Sequence, residues 1–307
     1  MSSEYRTLPT TSPEKYPTGT LIVGTGYVGL RVAQLLRDRD PSAPVHTVTR
    51  SEKKAESLAA QGFHPVIADW TDRRTLAHLP PCRRVLVAVS YDPRGGKTRE
   101  ESQVGGLGNL LDRLPNEADI VYLSSTGVFH QTDGGWVDES SPARPAGVGG
   151  LAHLRAEELL HRRRPHGRWT ILRLAGIYGP GRVPRGKEVR AGLPVEGPQS
   201  GYLNLIHRED AARAVLAAWD HPENRHRLYL VSDDVPVVRA EFYRQVARTL
   251  GVAPPTFTAD ANSKLSARSL SNKRIWNRRL RRHLLRELSF PDYVRGLTDS
   301  LKSGTMK

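Results

Sequence analysis

The sequence has 307 residues, of which 38% are hydrophobic and 25% charged, a composition typical of folded globular proteins. No apolar run approaches the roughly 18 residues that a membrane-spanning helix needs, so we predict no membrane partner. Cys82 is the only cysteine, which excludes an internal disulfide and fits a cytoplasmic protein. The formal net charge is +14, but no nucleic-acid-binding motif accompanies it, and we predict no nucleic-acid partner.

The predicted elements begin after a lead-in. Residues 1–18 are rich in Ser, Thr and Pro and have no apolar core, which predicts disorder rather than a signal peptide. Short apolar runs then predict strands at Leu21–Gly24, Val45–Thr49, His64–Ala68, Arg84–Val89, Ile120–Ser124, Thr170–Leu174 and Arg227–Val231. Amphipathic stretches predict helices at Gly29–Arg37, Glu52–Gln61, Asp72–His78, Gly96–Leu114, Gly150–Arg163 and Glu209–Trp219.

This alternation predicts an α/β fold with a doubly wound parallel sheet, the Rossmann arrangement. We assign residues 19–174 plus 206–231 to that domain. The remainder, residues 175–205 plus 232–307, is richer in Pro, Gly and Arg and lacks the alternation. It predicts a smaller C-terminal substrate cap.

The stretch Gly24-x-Gly26-x-x-Gly29 follows the first predicted strand and opens the first predicted helix. In that context Gly24 allows a tight turn, Gly26 lets the backbone approach a diphosphate, and Gly29 lets helix and strand pack closely. The alternative is a glycine turn without a ligand. We predict dinucleotide binding because the loop lies in a βαβ unit near the start of the chain.

The end of the second predicted strand indicates which dinucleotide. NAD enzymes usually place an acidic residue there, on the ribose hydroxyls. This sequence instead has Arg50 and Ser51, with Lys53 and Lys54 nearby. A guanidinium can pair with a 2′-phosphate and a hydroxyl can donate to it, so we predict NADP(H) as the cofactor. The alternative for Arg50 is a solvated residue that opens the next helix.

Asp69 follows the third predicted strand, in the stretch VIADW. Its carboxylate could accept a hydrogen bond from the adenine amino group. The alternative is a helix N-cap, for which Asp-Trp-Thr-Asp is a suitable sequence.

Several segments resemble the extended short-chain dehydrogenase/reductase superfamily, the NAD-dependent epimerase/dehydratase group. They occur in order from Thr20 to about Gly251 and include LIVGTGYVGLRVA, IVYLSSTGVFH, TILRLAGIYGPGR and NLIHREDAARAVLAA. The resemblance implies an active site between the Rossmann domain and the cap, a small-molecule substrate and a possible homodimer. The predicted cofactor-binding residues are Gly24, Gly26, Tyr27, Val28, Gly29, Arg50, Ser51, Asp69, Trp70, Ser90 and Tyr91.

The sequence departs from this family at the catalytic helix. The family has a Ser or Thr after the fifth strand, a Tyr on the next helix and a Lys four residues later. Aligning Ala156-Glu157 with the family's Ala-Glu places Gly149 at the Tyr position and His153 at the Lys position. A shift of two residues gives Leu151 and Arg155. Neither alignment supplies the Tyr.

The predicted catalytic residues are therefore Ser125, Thr126, His153, Tyr178 and Tyr202. Ser125 and Thr126 follow the fifth strand and would orient the substrate. His153 could transfer a proton near neutral pH, and Tyr178, Tyr202 or Tyr91 could replace the missing Tyr. Alternatively, the substrate needs little acid catalysis, as with an iminium or conjugated acceptor, or the protein binds NADP(H) without turning it over. No metal-ligand motif is present, and we predict no metal site.

Three functions are consistent with these observations. The first is an NADP(H)-dependent oxidoreductase that reduces a carbonyl, imine or activated double bond of a small metabolite. The second is a nucleotide-sugar epimerase or dehydratase, and the third is a non-catalytic NADP(H) sensor or scaffold. Residues 261–286 contain nine Lys or Arg and no acid. That stretch is a solvated helix face, a surface for an anionic ligand or partner, or a nucleic-acid patch.

Overall fold

The computed structural model describes residues 19–221, 226–258 and 271–302. The predicted lead-in, residues 1–18, and residues 261–270 of the basic stretch lie outside the described residues. No helix in the described part of the chain is both long and apolar enough to cross a membrane.

The described strands are, in chain order, β1 (Thr20–Val23), β2 (Val45–Thr49), β3 (His64–Ile67), β4 (Arg84–Val87), β5 (Asp119–Ser125), β6 (Trp136–Val137), β7 (Trp169–Leu174), β8 (Gly176–Tyr178), β9 (Val195–Glu196), β10 (Tyr202–Leu203), β11 (Leu205–His207), β12 (Leu228–Val231), β13 (Val237–Val238), β14 (Phe257–Thr258) and β15 (Arg274–Ile275). The described α-helices are α1 (Tyr27–Arg39), α2 (Glu52–Ala59), α3 (Gly106–Leu111), α4 (Val148–Arg163), α5 (Gly186–Arg190), α6 (Arg208–Asp220), α7 (Arg239–Leu250), α8 (Arg278–His283) and α9 (Tyr293–Lys302).

Seven strands form one parallel sheet in the order β3-β2-β1-β4-β5-β7-β12. This confirms the predicted doubly wound fold. Both faces of the sheet are covered, so the central strands are apolar throughout; every residue of β1 is buried. Alternate side chains divide between two cores. Ile22 and Leu86 pack with α1 and α6 on one face, whereas Leu21 and Val85 pack with α3 and α4 on the other.

Two predicted helices are wrong in extent. Asp72–His78 forms only a 3₁₀ turn at Thr75–His78, because the Asp72 carboxylate accepts a hydrogen bond from the Arg74 backbone N–H in a local turn. Gly96–Leu114 starts later, as a π-helical turn at Glu100–Gly105 that continues into α3. Gly96 has a φ of +68°, which is a left-handed conformation outside a helix.

The remaining strands form two-stranded pairs outside the main sheet. One of them, β6 with β15, joins the segment before α4 to the part of the chain predicted as cap. Basic residues of the described stretch 271–286 make contacts within the chain. The Lys273 ammonium donates to the Phe129 carbonyl oxygen at 3.1 Å, and Arg279 and Arg281 pair with Glu139 and Asp234. These contacts give that stretch a structural role.

Candidate functional site

A cavity of about 660 Å³ lies at the carboxyl ends of the central strands. β1 and β4 are neighbours there although β2 and β3 separate them in sequence, and such a reversal of strand order is where open parallel sheets bind ligands. The cavity is lined by Val23, Gly24, Thr25, Gly26, Val48, Thr49, Arg50, Ser51, Lys54, Ala68, Asp69, Trp70, Thr71, Ala88, Val89, Ser90, Asp92, Gly95, Lys97 and Ser102.

The glycine-rich loop forms one wall of this cavity, and each glycine there has a steric reason. Gly24 has a φ of +101°, and a Cβ on it would lie 2.6 Å from the Ala88 carbonyl group. A Cβ on Gly29 would overlap the Gly24 carbonyl oxygen. A Cβ on Gly26 would meet nothing within 4 Å, so its backbone borders open space. The loop thus leaves room beside Gly26 for a ligand.

The free backbone N–H groups at the N-terminus of α1 face that space. No side chain caps the helix at Gly26, and its first turn contains no acidic residue. The buried hydroxyl of Thr25 has no hydrogen-bond partner among the described residues. Unsatisfied backbone N–H groups, a helix dipole and an orphaned hydroxyl together suit an anionic ligand such as a diphosphate.

Arg50 lies at the opposite end of the cavity, where β2 ends. Its guanidinium lies 3.1 Å from the Asp92 carboxylate and 3.8 Å from that of Asp69, and its side chain is 55% exposed. The cation is therefore held at the rim of the cavity by two weak, solvent-screened ion pairs. Ser51 caps α2, since its hydroxyl oxygen accepts from the Lys54 backbone N–H.

Lys54 connects the two ends of the cavity. Its ammonium donates to the Thr25 carbonyl oxygen at 2.6 Å, which ties the first turn of α2 to the glycine-rich loop. Burial lowers the pKa of Lys54. The neighbouring Lys53 is exposed and does not line the cavity.

Asp69 and Trp70 close the cavity on the side of β3. One oxygen of Asp69 accepts hydrogen bonds from the backbone N–H and the hydroxyl of Thr71, so Asp69 shapes the turn instead of capping a helix. Trp70 is buried, and its indole ring packs against Gly106. A Cβ built on Gly106 would lie 2.7 Å from that ring. Trp70 is thus mainly a packing residue.

The end of β5 holds a buried network that the sequence analysis missed. The Ser124 hydroxyl donates to the Glu157 carboxylate at 2.5 Å, and Arg173 donates two hydrogen bonds to the same carboxylate. Next to it, the Ser125 hydroxyl oxygen accepts from the Gly127 backbone N–H, which leaves its O–H available as a donor. Thr126 is buried.

His153 is half-buried, and both of its ring nitrogens face groups of the fold. One ring nitrogen lies 3.1 Å from the Tyr122 hydroxyl and the other 3.2 Å from the Gln103 amide nitrogen. Burial lowers the pKa of His153 to about 4, so the ring is neutral at pH 7. Both nitrogens thus have partners within the fold, and proton transfer by His153 stays a prediction.

Arg99 occupies the space beside Gly149, one of the two positions that the alignments match to the family's Tyr. Its guanidinium carbon lies 4.2 Å from the centroid of the Tyr91 ring. The Tyr91 hydroxyl donates to the Lys97 carbonyl oxygen at 3.0 Å. A Cβ on Gly150 would overlap the Gly127 carbonyl oxygen, so α4 begins in direct backbone contact with the turn after β5.

The two predicted cap-side tyrosines lie apart from the cavity. Tyr178 has no exposed surface, and its hydroxyl lies against α9 at Gly296, which excludes direct contact with a substrate in this conformation. Tyr202 is half-buried, and the Arg274 guanidinium lies 5.1 Å from the centroid of its ring. The catalytic role of Tyr202 stays a prediction.

The structure therefore brings together most of the predicted cofactor residues and few of the catalytic ones. Gly24, Gly26, Arg50, Ser51, Asp69, Trp70 and Ser90 line the cavity. Tyr27, Val28, Gly29 and Tyr91 are outside its lining, and Val28 is a core residue. The five predicted catalytic residues do not line it either. The sequence analysis missed Thr25, Asp92 and Lys97, although each lies within three residues of a strand end or glycine that it had identified.

Comparisons with known proteins agree with this arrangement. The model of the NAD dependent epimerase/dehydratase family matches residues 20–231. Protein YeeZ of Escherichia coli (strain K12) is 33% identical over 253 residues, which cover 79% of this chain and 87% of that protein. A functionally unknown conserved protein from Silicibacter pomeroyi has a solved structure that is 26% identical, with a TM-score of 0.74, covering 94% of this chain and 100% of its own.

UDP-glucose 4-epimerase from Thermotoga maritima, solved with UDP-glucose, has a TM-score of 0.77 but is 15% identical to this chain. The match covers 93% of this chain and 98% of the epimerase. At that identity the likeness shows the shared fold alone.

Proposed function

Because the chain belongs to the NAD-dependent epimerase/dehydratase family, we propose that it is an NADP(H)-dependent oxidoreductase that reduces a carbonyl, imine or activated double bond of a small metabolite. The observation that carries the proposal is the pairing of an anion-binding glycine loop with two cations, Arg50 and Lys54, in one cavity. When bound, NADPH supplies a hydride. Residues of this chain would bind the coenzyme and orient the substrate.

We propose that a dinucleotide with an additional phosphate occupies this cavity. The loop at Gly26 and the first turn of α1 would bind the diphosphate through backbone N–H groups. At the other end, Arg50 would exchange its exposed pairing with Asp92 for the 2′-phosphate, since a phosphate carries more charge than a carboxylate and accepts two guanidinium hydrogen bonds. Lys54 lies between these ends and adds a second cation.

On the substrate side, we propose that Ser125 is the residue that orients the reacting group. Its hydroxyl proton is available to donate, and its oxygen is fixed by the Gly127 backbone N–H. Since the ring nitrogens of His153 have partners within the fold and α4 lacks a Tyr, we propose that the protein offers weak acid catalysis. That favours a substrate whose acceptor is already activated, such as an iminium or a conjugated double bond.

The cofactor proposal is tested by titrating the protein with NADPH and with NADH while nicotinamide fluorescence is recorded. We expect tighter binding of NADPH. Arg50→Ala should weaken NADPH binding by about 1.5 kcal/mol, roughly tenfold, and leave NADH within about twofold. Arg94→Ala is the matched control, because Arg94 pairs with the same Asp92 carboxylate but is 91% exposed and outside the cavity lining. Equal affinities for NADPH and NADH would overturn the NADP(H) preference.

The reaction is tested by following NADPH absorbance with a panel of aldehydes, cyclic imines and conjugated enones. Consumption of NADPH that is lost in Ser125→Ala would support the reductase. The second candidate, a nucleotide-sugar epimerase or dehydratase, is supported by the shared fold and predicts conversion of a sugar nucleotide without net coenzyme change. NADPH binding without either reaction would favour the sensor or scaffold.

A further inference from the structure

Two arginines from the second half of the chain meet at the first residue of α1. The Arg208 guanidinium carbon lies 4.8 Å from the centroid of the Tyr27 ring, and that of Arg182 lies 5.4 Å from the same centroid. The Tyr27 hydroxyl donates to the Pro180 carbonyl oxygen at 2.9 Å. We call Tyr27, Arg182 and Arg208 the Tyr27 cluster.

The cluster is positioned from two sides. Tyr27 directly follows Gly26 in the glycine-rich loop, so its backbone belongs to the free N-terminus of α1. Arg208 begins α6 directly after β11, and Arg182 lies in the turn after β8; β8 and β11 pair with each other. Gly179 brings this turn against Tyr27, because a Cβ there would lie 2.8 Å from the Tyr27 hydroxyl oxygen. The two guanidiniums are thus held next to the glycine loop by the strand pair β8-β11.

Neither guanidinium of the cluster forms an ion pair within the described part of the chain. No carboxylate oxygen there lies within 4.0 Å of either guanidinium, and the buried Nε of Arg208 has no acceptor among those residues. Asp299 and Glu209 are the nearby acids, and neither forms an ion pair with the two guanidiniums. Asp299 lies 3.4 Å from the His207 ring nitrogen, and Glu209 pairs with Arg31 at 2.6 Å.

Two like charges beside one ring repel each other, and the positive end of the α1 dipole adds to that field. A multiply charged anion at the N-terminus of α1 would relieve this repulsion and give Arg208 Nε an acceptor. A diphosphate fits, because one phosphate can face the amides after Gly26 while the pair faces the guanidiniums.

We infer that Arg208 and Arg182 hold the diphosphate of the bound dinucleotide from the side opposite the glycine loop. This inference rests on the dinucleotide binding proposed above and extends it to two residues outside the first βαβ units. It makes coenzyme binding depend on the β8-β11 region, where the substrate cap begins. Arg50 would then decide between NADPH and NADH, whereas Arg208 and Arg182 would strengthen both equally.

The test uses the full chain and two fragments in calorimetric titrations. ADP-ribose carries the diphosphate without a 2′-phosphate, and 2′-AMP carries the 2′-phosphate without a diphosphate. We expect Arg208→Met to weaken ADP-ribose binding about tenfold or more and Arg182→Met, at a more exposed site, about threefold. Both variants should bind 2′-AMP within about twofold of the unchanged protein. Arg208→Lys, which keeps the charge, should lose less than Arg208→Met.

Arg190→Met is the matched control, since Arg190 is an exposed arginine of α5 outside the cluster, and it should leave both fragments unaffected. Thermal unfolding of each variant checks the fold. Unchanged ADP-ribose affinity in both arginine variants would overturn the inference, as would an equal loss of both fragments. An arginine-dependent ADP-ribose site that does not bind 2′-AMP would uphold the inference and overturn the NADP(H) preference. Binding of neither fragment would overturn both.

Discussion

The guanidinium of Arg99 lies over Gly149, with its Nη1 3.4 Å from the point where a Cβ on that glycine would be. An arginine from the loop after β4 thus contacts one of the two helix positions that the alignments match to the family's tyrosine. The next residue, Gly150, faces the Gly127 carbonyl group, which is backbone and not a flexible side chain. The two adjacent glycines are therefore constrained very differently.

This contrast predicts effects of different size for two alanine substitutions. Gly149→Ala should change the free energy of unfolding by less than about 1 kcal/mol, since Arg99 can give way and alanine favours a helix. Gly150→Ala should lower it by more than about 2 kcal/mol, because the backbone of α4 or of the turn must move. Urea unfolding monitored by circular dichroism measures both. Similar values for the two variants would contradict the assigned packing.

The enclosure of His153 predicts a loss of stability in acid. The pKa of His153 falls from 6.5 in the unfolded chain to about 4 in the fold, so the unfolded state binds more protons between these values. Stability is therefore retained above pH 6.5 and falls as the pH drops towards 4, by roughly 2–3 kcal/mol for this residue.

The measurement compares the free energy of unfolding of the unchanged protein with that of His153→Asn at pH 7, 6, 5 and 4. The difference between the two proteins isolates the histidine from other titrating groups, and it should shrink as the pH falls. A constant difference would mean that the ring is not buried in its neutral form.

The Glu157–Arg173 pair predicts a large structural penalty when one partner is removed. Both side chains are less than 10% exposed, so Glu157→Gln leaves a buried guanidinium without its counter-charge. We expect a loss of about 3–5 kcal/mol in unfolding free energy. The control is Arg155→Ala, whose pair with Glu100 is half-exposed and should contribute less than about 1 kcal/mol. If Glu157→Gln costs no more than Arg155→Ala, the pair is not buried as described.

The two adjacent lysines of α2 predict a selective loss of coenzyme binding. Lys54→Met removes a cation of the cavity and its bond to the Thr25 carbonyl oxygen, so NADPH affinity should fall roughly tenfold. Lys53→Met, at the exposed neighbour, should change it by less than twofold. Fluorescence titration measures both, and equal effects would show that bulk positive charge, rather than position, determines the affinity.

The sequence was sufficient for the sheet and for the glycine loop because both depend on local patterns. Apolar runs between amphipathic stretches predicted the strands of the sheet, and the spacing of Gly24, Gly26 and Gly29 predicted the turn. The absence of a tyrosine from α4 was also visible, because the sequence of that helix contains none.

The rest depended on contacts between distant segments. No local pattern places Arg99 over Gly149 or pairs Glu157 with Arg173, because those contacts arise when α4 packs on β5, β7 and the loop after β4. The surroundings of His153 were hidden for the same reason. Lys53 and Lys54 were equivalent in sequence, and only the rotation of α2 relative to the sheet separates them.

The pairing of β6 with β15 has a consequence for biosynthesis. Trp136 is in register with Arg274, although nearly half the chain separates them. During translation the segment between β5 and α4 therefore emerges long before its partner strand. The segment before α4 acquires its native neighbour only after a further 138 residues have been synthesised, from position 136 to position 274.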